Sequence, residues 1–176
     1  MNNRGNWMQT ATGRQFWPMD PRPHEVFIED IAHSLSMICR FGGHCRGFYS
    51  VAEHSVLISR AAPAEAKLWA LLHDGPESYI GDKIRPLKPY LGGYREAEQK
   101  IMRAICVRFN LHLDQPAIVK ALDLALLMDE RDQAMATPPQ AWDVDVAPLG
   151  VKLQFWSPSR AKLEFLSAFK TCGGMR

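Results

Sequence analysis

Apolar residues recur at steps of three and four along most of the chain after residue 25, the spacing of one buried helix face. The first such stretch runs from Ile28 to Cys39, and Gly42 and Gly43 are expected to end it. Further stretches with this period begin at Val51, after Pro63, at Tyr94, after Pro116 and at Pro158. Helices therefore dominate, and the sequence predicts an all-α fold.

The first 25 residues break this pattern. Gly13 and three prolines interrupt an aromatic-rich stretch that cannot form a continuous helix. Residues 11–14, Ala-Thr-Gly-Arg, suit the turn of a short hairpin. We predict an irregular or hairpin arm at 1–25 that packs against a helical bundle at 26–176, and a length of 176 residues fits one domain overall.

Two predicted helix boundaries bear on the chemistry. Ser50 and Glu53 match a capping box, in which the hydroxyl accepts from the Glu53 amide and the carboxylate reaches back. The helix that follows turns His54 inward among apolar neighbours. Pro76 lacks an amide and clashes with the carbonyl of Leu72, so the preceding helix must end or kink there. A broken turn lets the acidic residue after Pro76 leave the helix surface.

Composition narrows the possible functions. Hydrophobic residues at 47% and charged residues at 23% describe an ordinary globular chain. A formal net charge of +2 gives no broad basic field, so a nucleic-acid polymer is not an expected partner. The four cysteines form no Cys-x-x-Cys pair, which argues against thiolate metal sites. Because the chain has no signal-like or membrane-spanning apolar run, we expect a cytoplasmic protein without membrane contact.

The adjacent pair His73-Asp74 is the strongest chemical signal. Neighbours on a helix point about 100° apart, so they do not normally serve one face, whereas a divalent ion accepts both nitrogen and oxygen ligands. His54 and Asp123 face inward on two other predicted helices. Each alone has an ordinary interpretation: a hydrogen-bonded core histidine, and a buried ion pair of Asp123 with Lys120. One divalent ion would satisfy all four together, which favours a metal site inside the bundle.

The motifs that surround these residues occur in a recognisable order. They are Arg40-Phe41, Val-Ala-Glu-His54-Ser, Leu-His73-Asp74-x-x-Glu77, Gly81-Asp82, Pro86-x-Lys88 and Val-Lys120-x-x-Asp123. Over residues 28 to 135 the chain resembles the HD-domain phosphohydrolases. It is most similar to the subgroup of bacterial 5′-deoxynucleotidases, small prophage HD proteins and phage dATP triphosphohydrolases.

This resemblance implies a role for each matching residue. The family's metal ligands fall on His54, His73, Asp74 and Asp123. They would hold one divalent transition metal. The resemblance does not decide whether this metal is zinc, cobalt or manganese. The residue that orients or deprotonates the attacking water falls on Glu77. Substrate contacts fall on Arg40, Lys88 and Lys120 for phosphate, Phe41 for the nucleoside, and Asp82 and Pro86 near the sugar or base. Gly75-Pro76 and Phe41 depart from the more usual family residues.

The resemblance implies a phosphohydrolase of nucleotide metabolism, in a bacterial or phage-infected cell. We expect hydrolysis of a dNTP, with dATP favoured, to deoxynucleoside and triphosphate. Alternatives are a dNMP 5′-nucleotidase, another HD reaction on a cyclic or alarmone nucleotide, and a non-catalytic, metal-stapled nucleotide-binding module. Glu77 separates the enzymes from the module, because a purely structural site has no use for a further carboxylate. Relatives form dimers or larger rings, so we expect a homo-oligomer, a dimer or a hexamer.

Overall fold

A computed structural model describes residues 4–174 of the chain; residues 1–3 of the predicted arm and 175–176 of the predicted bundle lie outside the described residues. Strand β1, Met8–Gln9, pairs antiparallel with strand β2, Gln15–Phe16. The amide of Thr10 donates to the carbonyl of Arg14 at 2.9 Å, which closes the predicted turn. The hairpin prediction is therefore confirmed.

Helices make up most of the remaining regular structure, and the all-α prediction is confirmed. The α-helices are α1 Ile28–Met37, α2 Val51–Ala61, α3 Lys67–Leu72, α4 Glu77–Ile80, α5 Tyr94–Arg108, α6 Ala117–Ala134 and α7 Pro158–Thr171. Short 3-10 turns lie at Pro23–Glu25, Phe41–Gly43, Ala64–Ala66 and Lys88–Tyr90. In the described range 4–174, none of the helices is both long and apolar enough to cross a membrane.

Helix α2 lies in the middle of the fold. It contacts α1, α3, α6 and α7, and every residue from Val51 to Ser59 is buried. A helix buried on all sides belongs to the interior of a bundle, so His54 has no solvent-facing position available. The hairpin packs on the same core through Phe16, whose ring stacks on Tyr79 at a centroid distance of 3.7 Å.

Only one half of the predicted capping box forms. The Ser50 hydroxyl accepts from the amide of Glu53 at 3.1 Å, as expected. The Glu53 carboxylate does not reach back; it accepts from the amides of Gln154, Phe155 and Trp156 at 2.7, 3.1 and 2.7 Å. Three convergent amides satisfy a fully buried carboxylate better than one amide can, which explains the different partner.

The chain breaks at the His-Asp pair, as Pro76 predicts, although α3 already ends at Leu72. The Gly75 amide donates to the Leu72 carbonyl at 2.8 Å, and the chain turns before α4 begins at Glu77. A Cβ atom on Gly75 would lie 2.9 Å from both the Leu72 carbonyl oxygen and the Cδ1 atom of Ile105. Glycine at this position therefore permits the tight turn that separates the two helices.

Candidate metal centre

Three residues from separate elements bring ligand atoms together. His54 lies on α2, His73 follows α3, and Asp123 lies on α6. The Nε2 atom of His54 is 3.3 Å from Nε2 of His73 and 3.2 Å from Oδ1 of Asp123. These three residues offer atoms that lie within 4.8 Å of one another, so they could hold a metal ion.

Asp74 approaches the same atoms from the turn. Its Oδ2 atom lies 3.2 Å from Nε2 of His73 and 3.5 Å from Nε2 of His54. Ligands about 2.0–2.2 Å from a tetrahedral zinc ion lie roughly 3.3–3.6 Å apart. The separation of Asp74 from His54 falls within this range and that from His73 lies just below it, so Asp74 borders the cluster of His54, His73 and Asp123.

Both imidazoles use their other nitrogen as a hydrogen-bond donor. Nδ1 of His54 lies 2.6 Å from Oε1 of Glu130, and Nδ1 of His73 lies 2.7 Å from the carbonyl oxygen of Ala70. A carboxylate and a carbonyl only accept, so each Nδ1 carries the proton. In neutral rings, two Nε2 lone pairs then face each other beside carboxylate oxygens. Such a cluster of acceptors requires a cation, either protons or a metal ion.

The electrostatics of the cluster agree with this requirement. Burial lowers the pKa of His73, but the carboxylates of Asp74 and Asp123 outweigh it and raise the pKa to about 9. Burial and Arg40 lower the pKa of His54, whereas Glu130 and Asp123 outweigh them and raise it. Burial raises the pKa of Asp123, but the hydrogen bond from His54 prevails and lowers it to about 2. Without a metal, protons on the imidazoles balance the carboxylates.

Glu77 lies beside this centre at the start of α4. With His73 and Asp74 it lines a cavity of about 340 Å³. Its Oε1 atom is 3.5 Å from Nζ of Lys88, while its buried Oε2 atom has no hydrogen-bond partner within residues 4–174. Burial, followed by the charges of Asp74 and Asp82, raises the pKa of Glu77 well above its usual value. A carboxyl group in this state can hold a proton or accept one.

Two of the three predicted phosphate-binding cations are already paired with carboxylates. The Arg40 side chain is mostly buried, and its Nη2 atom donates to Oε2 of Glu130 at 2.9 Å. Its Nη1 atom lies 3.6 Å from Oδ2 of Asp74, so the guanidinium borders the candidate centre. Nζ of Lys88 donates to Oε1 of Glu98 at 3.0 Å.

The third cation, Lys120, is exposed on α6, one turn before Asp123. The alternative ion pair between these two residues does not form among the described residues. Arg85 is the cation near Asp123 instead: its Nη2 atom lies 3.9 Å from Oδ2, and its side chain is 65% exposed. Sequence reasoning did not include Arg85 in the site, although the cationic loop at 83–88 was a signal.

The remaining predicted substrate residues, Phe41, Asp82 and Pro86, differ in exposure and in the side chains near them. Phe41 has a left-handed backbone, and its ring centroid lies 6.2 Å from that of Trp142. The guanidinium of Arg40 lies 5.3 Å from the Phe41 ring. Asp82 is half-buried, and burial raises its pKa against the opposing charge of Arg40. Pro86 is exposed in the loop that carries Arg85.

Glu130 is a site residue that sequence reasoning missed. It is fully buried on α6 and contacts Arg40, Tyr49 and His54. It lies seven positions after Asp123, two helical turns along the same face. An acidic residue at that spacing in an apolar stretch was the available signal.

No model of a protein family matches the chain, but two known proteins are similar to it in sequence. The chain is 38% identical over 139 residues to the uncharacterized protein YfdR of Escherichia coli, which covers 79% of this chain and 78% of YfdR. It is also 41% identical over 124 residues to the uncharacterized protein RCAP_rcc00048 of Rhodobacter capsulatus. That match covers 65% of this chain and 63% of the relative, so it spans less than two thirds of the relative's length.

Proposed function

We propose that this chain, which belongs to the same protein family as YfdR of Escherichia coli, hydrolyses phosphate esters of deoxynucleotides at a divalent metal ion. One observation carries the proposal. The Nδ1 atoms of His54 and His73 are both used as donors, so their Nε2 atoms meet 3.3 Å apart beside the carboxylate of Asp123. A divalent ion satisfies this arrangement, and the ordered motifs that resemble HD-domain phosphohydrolases support the reaction class.

His54, His73, Asp74 and Asp123 are the residues that would hold the ion. Their mixed nitrogen and oxygen donors suit zinc, cobalt or manganese. A bound divalent ion supplies Lewis acidity toward a phosphoryl oxygen and lowers the pKa of a coordinated water.

Glu77 is the group that orients the attacking water and accepts its proton. Its unpartnered Oε2 atom belongs to a buried side chain that lines the same cavity as His73 and Asp74. Burial raises the pKa of this carboxyl well above its usual value, and a higher pKa makes the ionised carboxylate a stronger base toward the proton of the water. A structural metal site has no need of such a group, which favours the enzyme over a metal-stapled binding module.

The substrate is an anion that approaches past the loop of Arg85. This exposed guanidinium, with Arg40 and Lys88, would neutralise charge on the transferred phosphoryl group. The first candidate reaction converts a dNTP, with dATP favoured, to deoxynucleoside and triphosphate. The second is hydrolysis of a dNMP, and a specific observation favours it: Arg40 and Lys88 already balance Glu130 and Glu98, which leaves less positive charge for a polyphosphate.

Product analysis tests the proposal. The metal-free protein is loaded with zinc, cobalt or manganese in turn and incubated with each dNTP and dNMP, and the products are separated by chromatography. Triphosphate as a product identifies the first reaction, and inorganic phosphate from a dNMP identifies the second. If every substrate stays intact with all three metals, the proposed activity is wrong.

The variant Glu77→Gln separates catalysis from metal binding. We expect it to bind the metal as tightly as the unsubstituted protein and to lose turnover, because the amide cannot accept the proton. Equal loss of metal binding and turnover would show that Glu77 supports the metal site instead.

A further inference from the structure

Glu130 is a completely buried acid whose partners come from distant parts of the chain. Its Oε1 atom accepts from the hydroxyl of Tyr49 at 2.9 Å and lies 2.6 Å from Nδ1 of His54. Its Oε2 atom accepts from Nη2 of Arg40 at 2.9 Å. A buried carboxylate is costly unless it is paired and hydrogen-bonded, and here both oxygens have donors.

This arrangement decides which nitrogen of His54 can bind a metal. Oε2 of Glu130 is ion-paired with Nη2 of Arg40 at 2.9 Å and Oε1 accepts from the hydroxyl of Tyr49 at 2.9 Å, so the group is a carboxylate that accepts at both oxygens. An ionised carboxylate only accepts, so Nδ1 of His54 must carry the proton of a neutral ring. The free lone pair is then on Nε2, the atom that lies 3.2 Å from Oδ1 of Asp123.

We infer that Glu130 is a positioning residue that fixes the ring orientation and tautomer of His54, and thereby offers Nε2 to the metal ion. The inference rests on the metal site of the proposed function. His73 needs no such side chain, because its Nδ1 donates to the backbone carbonyl of Ala70 at 2.7 Å. Of the two imidazoles, only His54 therefore depends on a residue that can be substituted.

Arg40 and Tyr49 hold Glu130 in place. Arg40 supplies the opposite charge, and its Nη1 atom lies 3.6 Å from Oδ2 of Asp74, so it also borders the other side of the centre. Tyr49 is fully buried, and its ring meets Phe155 edge-on at 6.0 Å. Removing the Tyr49 hydroxyl would leave Glu130 charged and paired but more free to turn.

Zinc affinity tests the inference in the full chain. The metal-free protein competes for Zn²⁺ with a chromophoric chelator, and Glu130→Gln is compared with the unsubstituted chain. We expect the affinity to fall by about 10- to 100-fold, the usual effect of losing such a support of a metal-bound histidine. A change of less than about threefold overturns the inference.

Asp30→Asn is the matched control. Asp30 is a buried acid at 3% exposure that accepts from the amide and hydroxyl of Thr12, and it does not contact the metal ligands. Its substitution removes a carboxylate that, like Glu130, is buried and hydrogen-bonded at both oxygens. We expect lower stability with zinc affinity unchanged; an equal loss of zinc affinity would assign the Glu130 effect to general destabilisation and overturn the inference.

Substitution of Glu130 would leave Arg40 without its buried partner and can prevent folding. A spectroscopic measurement avoids this substitution. Nitrogen-15 NMR of the zinc-loaded, unsubstituted chain reports the state of each imidazole nitrogen, and a His54→Asn spectrum assigns the His54 signals. We expect a proton on Nδ1 and zinc on Nε2. In Tyr49→Phe the same tautomer should persist with a shifted Nδ1 proton signal.

Zinc on Nδ1 of His54, or a Tyr49→Phe spectrum with an unmoved Nδ1 proton, would overturn the positioning role while leaving the metal site intact. If the unsubstituted chain binds no zinc, the metal site of the proposed function falls as well. The two failures are therefore distinguishable.

Discussion

The buried carboxylate of Glu53 provides a sharp test of the tertiary contacts around α2. It accepts three successive backbone amides, from Gln154, Phe155 and Trp156, just before α7 begins. Phe155 has a left-handed backbone with φ of 52°, a conformation that brings consecutive amides to one side. Left-handed geometry costs a residue with a side chain about 1–2 kcal/mol. The Glu53 carboxylate offsets that cost.

The substitution Glu53→Gln changes few atoms and allows a magnitude to be worked out. With the amide oxygen in the Oε1 position, the amides of Gln154 and Phe155 keep an acceptor, but the amide of Trp156 faces an NH₂ group. One unsatisfied buried donor costs about 1–3 kcal/mol, and the two remaining bonds lose the strength that the charge gave them. We therefore expect the free energy of unfolding to fall by about 2–4 kcal/mol.

Chemical denaturation of the metal-free chain at neutral pH measures this change. Ser50→Ala is the control on the same helix, since it removes only the hydroxyl that accepts from the Glu53 amide, and we expect a loss of about 1 kcal/mol. If Glu53→Gln costs less than about 0.5 kcal/mol, the carboxylate does not hold the 154–156 segment and the reasoning is refuted.

Three further predictions concern stability. Gly75→Ala places a Cβ atom 2.9 Å from Ile105 and should lower the free energy of unfolding by about 1–3 kcal/mol in a denaturant titration, and an unchanged midpoint would contradict the close approach. Phe16→Ala removes a fully buried ring stacked on Tyr79 and should cost about 3–5 kcal/mol in the same assay; a loss below 1 kcal/mol would mean that the hairpin is not docked there. Since the pKa of His73 rises from 6.5 to about 9 on folding, the metal-free protein gains stability that is fully present below pH 6.5. This stability, about 3 kcal/mol, is lost as the pH rises through 9. Denaturation curves of chelator-treated protein below pH 6.5 and above pH 9 measure the change. A free energy of unfolding that does not vary with pH would refute the charge balance of the cluster.

Local patterns predicted the elements that carry the candidate site. The period of apolar residues located α1, α2, α5, α6 and α7, because a helix repeats within a few residues. The same period turned His54 inward, and Pro76 marked a break near the His-Asp pair because its ring excludes a continuous helix. These inferences needed no knowledge of what lies across the fold.

The partners of the buried charges could not be predicted in this way. The capping box at Ser50 predicted that the Glu53 carboxylate accepts from the backbone at the start of its own helix. In the fold it accepts from backbone amides about a hundred positions away. The sequence predicted Arg40 as a contact for the substrate phosphate. In the fold, its side chain is paired with Glu130, 90 positions later. With 19 acidic residues and 21 basic ones in the chain, spacing alone does not select such pairs.

The sequence by itself determined the helical class, the main helix positions, the hairpin turn and the inward position of His54. Tertiary structure alone decided that Glu130 orients His54, that Glu53 closes the loop before α7, and that Arg85 rather than Lys120 lies beside Asp123. The reason is physical. Backbone preference and side-chain period act over a few residues, whereas the partner of a buried charge depends on how the helices pack.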